Sequence, residues 1–101
     1  MAIILSIDVG TTGIKVGLVD TSGTVIASAG CEYQIVASQP GFAEQDPDAW
    51  WQGFLDCCSK LRQSYRREFE QIAGVGICGH MHTQVYLDRL NQSVRPALTG
   101  M

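Results

Sequence analysis

Ile3-Ile4-Leu5-Ser6-Ile7-Asp8-Val9-Gly10-Thr11-Thr12-Gly13-Ile14-Lys15-Val16-Gly17-Leu18-Val19 is the stretch on which the fold turns. Ile3 to Ile7 is a short, nearly continuous apolar run rich in isoleucine. Such a run suits a central strand covered on both faces. Asp8 ends it, and Gly10-Thr11-Thr12-Gly13 forms a tight turn. From Ile14 to Val19 the next strand places Ile14, Val16 and Leu18 on one face. Asp20-Thr21-Ser22-Gly23 is a second turn, and Thr24 to Ile35 reads as a third strand. Turns this short join antiparallel neighbours, so the three strands predict a meander.

Beyond Gln39-Pro40-Gly41 a loop runs to Asp46, where a helix begins. Asp46 can cap it, Pro47 suits the first helical position, and Asp48 favours the positive end of the dipole. Trp51, Phe54, Leu55, Cys58, Leu61, Tyr65 and Phe69 follow at three- and four-residue steps and form an apolar face. Trp51 lies on that stripe, so core packing is expected of it rather than a carbohydrate-stacking platform. Lys60, Arg62, Arg66 and Arg67 suit the negative end of the helix and read as a solvated face. Ile72 to Cys78 is a fourth strand and Gln84 to Leu87 a fifth. Leu90-Asn91-Gln92-Ser93 is a turn, and Val94 to Leu98 is extended. Three strands, one long helix and further strands define an α/β layer fold. One helix covers only one face of the sheet, so the sequence asks for more chain than its 101 residues hold.

Composition narrows the function classes. Hydrophobic residues make up 46% and charged residues 17%, the balance of a globular domain. A net charge of −3 argues against nucleic acid or an anionic membrane surface as the main partner. No apolar run approaches the roughly 18 residues of a membrane span, and the start has no basic region of a signal peptide. A cytoplasmic protein is expected. Cys31, Cys57, Cys58 and Cys78 lack C-x-x-C spacing and read as reduced thiols.

Asp8 to Lys15 is the segment best placed for chemistry. Backbone N–H groups of a glycine-flanked turn can form an anion-binding nest. Gly10, Thr11 and Thr12 would cradle phosphate, Lys15 would neutralise it, and Asp8 could hold Mg²⁺ against it. The same residues also fit an ordinary hairpin in which Asp8 accepts turn N–H bonds. The G-x-x-x-x-G-K-[ST] phosphate loop is absent. Gly74-Val75-Gly76-Ile77-Cys78-Gly79 spells G-x-G-x-x-G, but it follows a helix and lies within a strand, the reverse of a dinucleotide site. Its glycines instead suggest close approach of a backbone or ligand. Cys78, His80 and His82 alternate along one strand face, yet no fourth metal ligand accompanies them.

Four ordered segments resemble the FGGY family of carbohydrate kinases, within the actin-like ATPase superfamily. They are Asp8 to Lys15; Gly41-Phe42-Ala43-Glu44-Gln45-Asp46-Pro47-Asp48-Ala49-Trp50-Trp51, similar to E-Q-D-P-x-x-W-W; Ile77-Cys78-Gly79-His80-Met81-His82, similar to the G-Q-M-H-G of xylulokinase-like members; and Leu87-Asp88 through Val94-Arg95-Pro96-Ala97-Leu98. The sequence departs from the pattern at His80, Thr83 and Gly100, where Gln, Gly and Trp are usual. The resemblance implies the first part of an actin-like (ribonuclease H-like) α/β domain, with residues 1–101 a truncated N-terminal kinase domain. It implies transfer of the ATP γ-phosphoryl group to a sugar hydroxyl, most simply D-xylulose, with ATP and Mg²⁺ as cofactors. Asp8 would position the metal, and Met81 and His82 would face the sugar. The catalytic base and the adenosine-binding domain are expected beyond Met101, so the chain alone is expected to be inactive. A homodimer of the complete protein is a further expectation. Another ketose or a polyol such as glycerol or gluconate remains an alternative acceptor, and a non-catalytic fragment or binding module an alternative role.

Overall fold

The computed structural model describes residues 2–33, 44–79, 87–93 and 96–98. Its elements are β1 (Ile3–Val9), β2 (Gly13–Asp20), β3 (Val25–Glu32), β4 (Glu44–Gln45), α1 (Pro47–Ser64), α2 (Arg66–Phe69), β5 (Ile72–Cys78) and β6 (Ala97–Leu98). Four strands form one sheet in the order β3-β2-β1-β5, and β4 pairs with β6 in a second. The expected meander is present: β1–β2 and β2–β3 are antiparallel. β5 then returns parallel to β1, with Leu5 beside Val75 and Ile7 beside Ile77. A parallel return needs a long crossover, and the stretch containing α1 supplies it.

Burial along β1 alternates. Ile3, Leu5 and Ile7 are buried, while Ile4 is 39% exposed and Ser6 and Asp8 face outward. Among the described residues only one face of β1 is buried, as expected where one helix covers one face of the sheet. Period-2 geometry sends the buried residues to the α1 side, together with Ile14, Val16, Leu18 and Ala27. Cys57 and Leu61 of α1 meet them there. The helix comes close at Gly53, where an added Cβ would lie 3.0 Å from Ile14 Cγ2. Burial pushes the Cys57 and Cys58 thiols up, which keeps them protonated small apolar groups.

The helix start is built as its sequence predicts. Asp46 Oδ1 accepts from the Asp48 backbone N–H at 3.0 Å, and Pro47 opens the first turn. Its end differs from expectation. Tyr65 leaves helical geometry at φ −134°, ψ 50°, so α1 stops at Ser64 and a single further turn, α2, follows. Lys60, Arg62, Arg66 and Arg67 are all exposed, the solvated face expected of them.

Polar turns close the strands. Asp20 Oδ1 accepts from Ser22 N, Ser22 Oγ and Thr24 N at 2.9, 2.6 and 3.0 Å. Gly23 sits there at φ +91°, a conformation glycine adopts without strain. Asp88 Oδ1 likewise accepts from Leu90 N and Gln92 N, with Asn91 at φ 61°. Of the expected fifth strand, Gln84 to Tyr86 lie outside the described residues, and Leu87 bridges to Ser93.

Candidate functional site

The site forms where β1 turns into β2. Val9 pairs with Ile14, and the Gly10 N–H donates to the Gly13 carbonyl at 2.9 Å, leaving Thr11 and Thr12 as a two-residue loop. No positive φ occurs in it, so it is not a primed hairpin turn. Its glycines answer to close approach instead. A Cβ on Gly10 would lie 2.9 Å from the Gly13 oxygen, and one on Gly13 would lie 2.7 Å from the Cys31 oxygen.

All four carbonyls of this turn are engaged from within the protein. Tyr33 Oη donates to the Gly10 carbonyl and lies 3.0 Å from that of Gly13. Gln45 Nε2 donates to the Thr11 carbonyl. The Tyr33 backbone N–H donates to the Thr12 carbonyl at 3.2 Å, and Gly13 O accepts from Gly10 N. No peptide bond among the described residues is cis. In a trans peptide the C=O and the following N–H point opposite ways. Carbonyls held inward therefore turn the N–H groups of Thr11, Thr12 and Gly13 away from those donors. Successive N–H groups directed alike make an anion-binding concavity.

Two charged groups flank the turn. Asp8 of β1 stands opposite Lys15 of β2, both side chains are exposed, and both line one shallow depression with Ser6, Gly17 and Ser28 on the face away from α1. Thr11 and Thr12 are exposed and Gly10 is half-buried. The structure thus brings Asp8, Gly10, Thr11, Thr12 and Lys15 together within one hairpin. Met81 and His82 lie outside the described residues, as does His80. Cys78 is exposed and sits beside Asp8 in the ladder. Among the described residues no group of three His, Cys, Asp or Glu side chains could hold a metal.

Sequence reasoning passed over Tyr33 and Gln45. Gln45 is 1% exposed, and its Oε1 accepts from Trp50 Nε1 at 2.8 Å. It stands between Glu44 and Asp46 just ahead of the helix, inside a motif already quoted, and no local pattern marks it for burial. Tyr33 is half-buried, and its phenol is pushed up to about 12, chiefly by burial and then by the charges of Asp8 and Cys31. Trp51, expected in the core, is instead 61% exposed and stacks on Phe54 at 5.4 Å. It borders an apolar groove with Ile7, Pro47, Val75 and Ile77. Gly74 and Gly76 lie within a strand, as the rejection of the dinucleotide motif requires, and a Cβ on either would meet nothing within 4 Å.

A mixed sheet with a glycine-flanked first hairpin and one long crossover helix defines an α/β domain, and comparison with known proteins says which family it belongs to. Residues 3–100 match the model of the FGGY family of carbohydrate kinases, N-terminal domain, and the chain belongs to that family. It is 35% identical over 98 residues to the xylulose kinase of Lactococcus lactis, covering 97% of this chain and 20% of that protein. The crystal structure of a xyloylose kinase from Brucella ovis superposes with a TM-score of 0.91 at 32% identity, covering 95% of this chain and 20% of that one. That of gluconate kinase from Lactobacillus acidophilus gives 0.86 at 26% identity, over 97% and 19%. The chain spans about one fifth of the length of these relatives. The expected actin-like α/β fold is that of these sugar kinases.

Proposed function

We propose that this chain forms one wall of the ATP phosphate site of a carbohydrate kinase that transfers the γ-phosphoryl group to a sugar hydroxyl, D-xylulose being the acceptor best supported. The carrying observation is the inward anchoring of all four carbonyls from Gly10 to Gly13, which turns the N–H groups of Thr11, Thr12 and Gly13 the other way, towards an anion. Gly10, Thr11 and Thr12 then cradle phosphate oxygens, and Lys15 offsets their charge. Such transfer rests on positioning and charge stabilisation, so it needs both walls of a cleft.

Mg²⁺ fits these residues in one manner. A single exposed carboxylate, Asp8, stands two residues before the turn, and no protein cage of three ligands accompanies it among the described residues. Magnesium commonly keeps several waters and binds through one or two carboxylates plus substrate phosphates. When bound, the ion would neutralise charge on the phosphates, and Asp8 would hold it, directly or through water.

The acceptor side is carried by resemblance. Met81 and His82 fall in the segment similar to that of xylulokinase-like members, and we assign them to the sugar. Residues 1–101 act in this reading as part of the N-terminal domain, within a complete protein that pairs as a homodimer. The free thiols agree with a cytoplasmic setting, and among the described residues no helix is long and apolar enough to cross a membrane. A gluconate-phosphorylating enzyme is the second reading, favoured by the likeness to that structure.

The test is an assay of a complete protein carrying this segment, with ATP, Mg²⁺ and D-xylulose, gluconate or glycerol offered singly. Sugar phosphate should form fastest from D-xylulose, and the 101-residue chain alone should form none. Phosphorylation of none of the three by the complete protein would overturn the reading, and a preference for gluconate would select the second.

A further inference from the structure

We propose that Gln45 is a positioning residue for the phosphate-binding turn, with Trp50 setting the orientation of its amide. The inference rests on the reading of Gly10 to Gly13 as an anion site and names what aims it.

Gln45 is the largest buried polar side chain among the described residues, and both ends of its amide are used by groups on other elements. The indole N–H of Trp50 is a donor only, so the amide end that faces it must be the oxygen. Nε2 is then committed to the other side, where the Thr11 carbonyl accepts from it. A flipped amide would set donor against donor at Trp50 and oxygen against oxygen at Thr11. Trp50 therefore decides which atom meets the turn.

Closure of the hairpin does not require this bond. The ladder runs unbroken from Ile3–Asp20 to Val9–Ile14, and the Gly10–Gly13 bond completes it. What Gln45 adds is the plane of one peptide. With the Thr11 oxygen held inward, the Thr12 N–H, on the same peptide unit, points the opposite way. That N–H belongs to the exposed tip of the turn, where a phosphate oxygen would sit. The backbone of Gln45 is itself held in β4, where it pairs with Ala97 of β6. A buried amide bonded at both ends, on a backbone held in a strand, suits a part that must keep one orientation when an anion arrives.

The experiment uses a complete protein carrying this segment, labelled with ¹⁵N and ¹³C and titrated with inorganic tripolyphosphate. In the wild type the amides of Thr11, Thr12 and Gly13 should shift saturably. Gln45→Met keeps length and loses the donor. Gln45→Glu keeps the acceptor for Trp50 and sets a carboxylate against the Thr11 oxygen. Both should weaken tripolyphosphate binding at least fivefold and move the Thr11 carbonyl resonance, while the amides of Ile3 to Ile7 stay in place. A merely structural glutamine would not give that pairing. Should both variants fail to fold, Trp50→Phe decides, with binding weakened twofold or more and the same carbonyl shift expected. Wild-type binding at the turn with variants bound as tightly would overturn the role of Gln45 and leave the phosphate site standing. Absence of any wild-type shift at Thr11 to Gly13 would overturn the phosphate site and this inference with it.

Discussion

Asp8 and Lys15 are direct cross-strand partners one step short of the Val9–Ile14 pair that leads into the turn, and both side chains reach solvent on the face away from α1. Opposite charges so placed favour the pairing modestly. No ion pair joins them, so each remains available to a charged ligand.

From that placement, Asp8→Asn in a complete kinase carrying this segment should lower turnover by about two orders of magnitude, the scale of a lost transition-state contact. The Michaelis constant for sugar should move little if, as proposed, Met81 and His82 make the sugar contacts. Steady-state kinetics on variants matched in melting temperature would check this. Near-normal turnover would return Asp8 to the role of an ordinary turn residue.

Gly13 is required for a reason of space, and a larger residue there comes at a cost in stability. An added Cβ would sit 2.7 Å from the Cys31 carbonyl oxygen and 3.3 Å from Glu32 Cα, both backbone atoms that cannot swing aside. Gly13→Ala should cost about 1–3 kcal/mol, as overpacking does. The melting temperature should fall by about 5–20 °C for a domain this small. Gly74→Ala, with nothing within 4 Å of its Cβ, should be close to neutral. Equal melting temperatures for the two variants would contradict the close-approach argument.

Tyr33 links stability to alkaline pH. Its proton is held more tightly in the folded chain, with the phenol raised from its ordinary 10.0 to about 12 by burial, then by Asp8 and Cys31. A folded-state value above the unfolded one gives a contribution fully present below pH 10 and lost as pH rises towards 12. Denaturant titrations should therefore show stability declining over that window, with the decline reduced in Tyr33→Phe. At neutral pH the same variant should lose about 1–2 kcal/mol, because the Gly10 carbonyl loses its donor. An identical alkaline decline in both proteins would place the titrating group elsewhere.

Trp51 separates a surface role from a core role. Truncating a core tryptophan costs about 3–5 kcal/mol. At 61% exposure, with one stacked neighbour in Phe54, Trp51→Ala should cost about 1 kcal/mol or less. Binding of a hydrophobic dye should fall by about twofold as the apolar groove loses its rim. Chemical denaturation and dye fluorescence measure both, and a loss above about 3 kcal/mol would mean the ring is buried in solution.

Residues that speak through local chemistry were readable in advance. Asp46, Pro47 and Asp48 announce a helix start without reference to anything distant, and the start falls there. Gly10 and Gly13 announce the hairpin, and Asp8 and Lys15 fall opposite each other once its register follows. Tertiary geometry hid the rest. The Trp51 stripe is periodic, yet α1 rests on β2 and β3, so its flank beside β5 stays open. Ile4 reads as apolar as Ile3, and only the one-sided cover distinguishes them. Tyr33 and Gln45 act on carbonyls 20 to 34 residues earlier, a separation no local pattern reports.

The pairing of Gln45 with Ala97 bears on the order in which the molecule is made. Thr11 leaves the ribosome early, whereas the strand that steadies its brace is translated 87 residues later, the difference between Leu98 and Thr11. At about 5–20 residues per second, the nascent hairpin waits roughly 4–17 s for that support. During this interval the turn is closed but its Thr11 peptide plane lacks its full brace, so a nascent chain arrested before Ala97 should hold phosphate more weakly than one released after it.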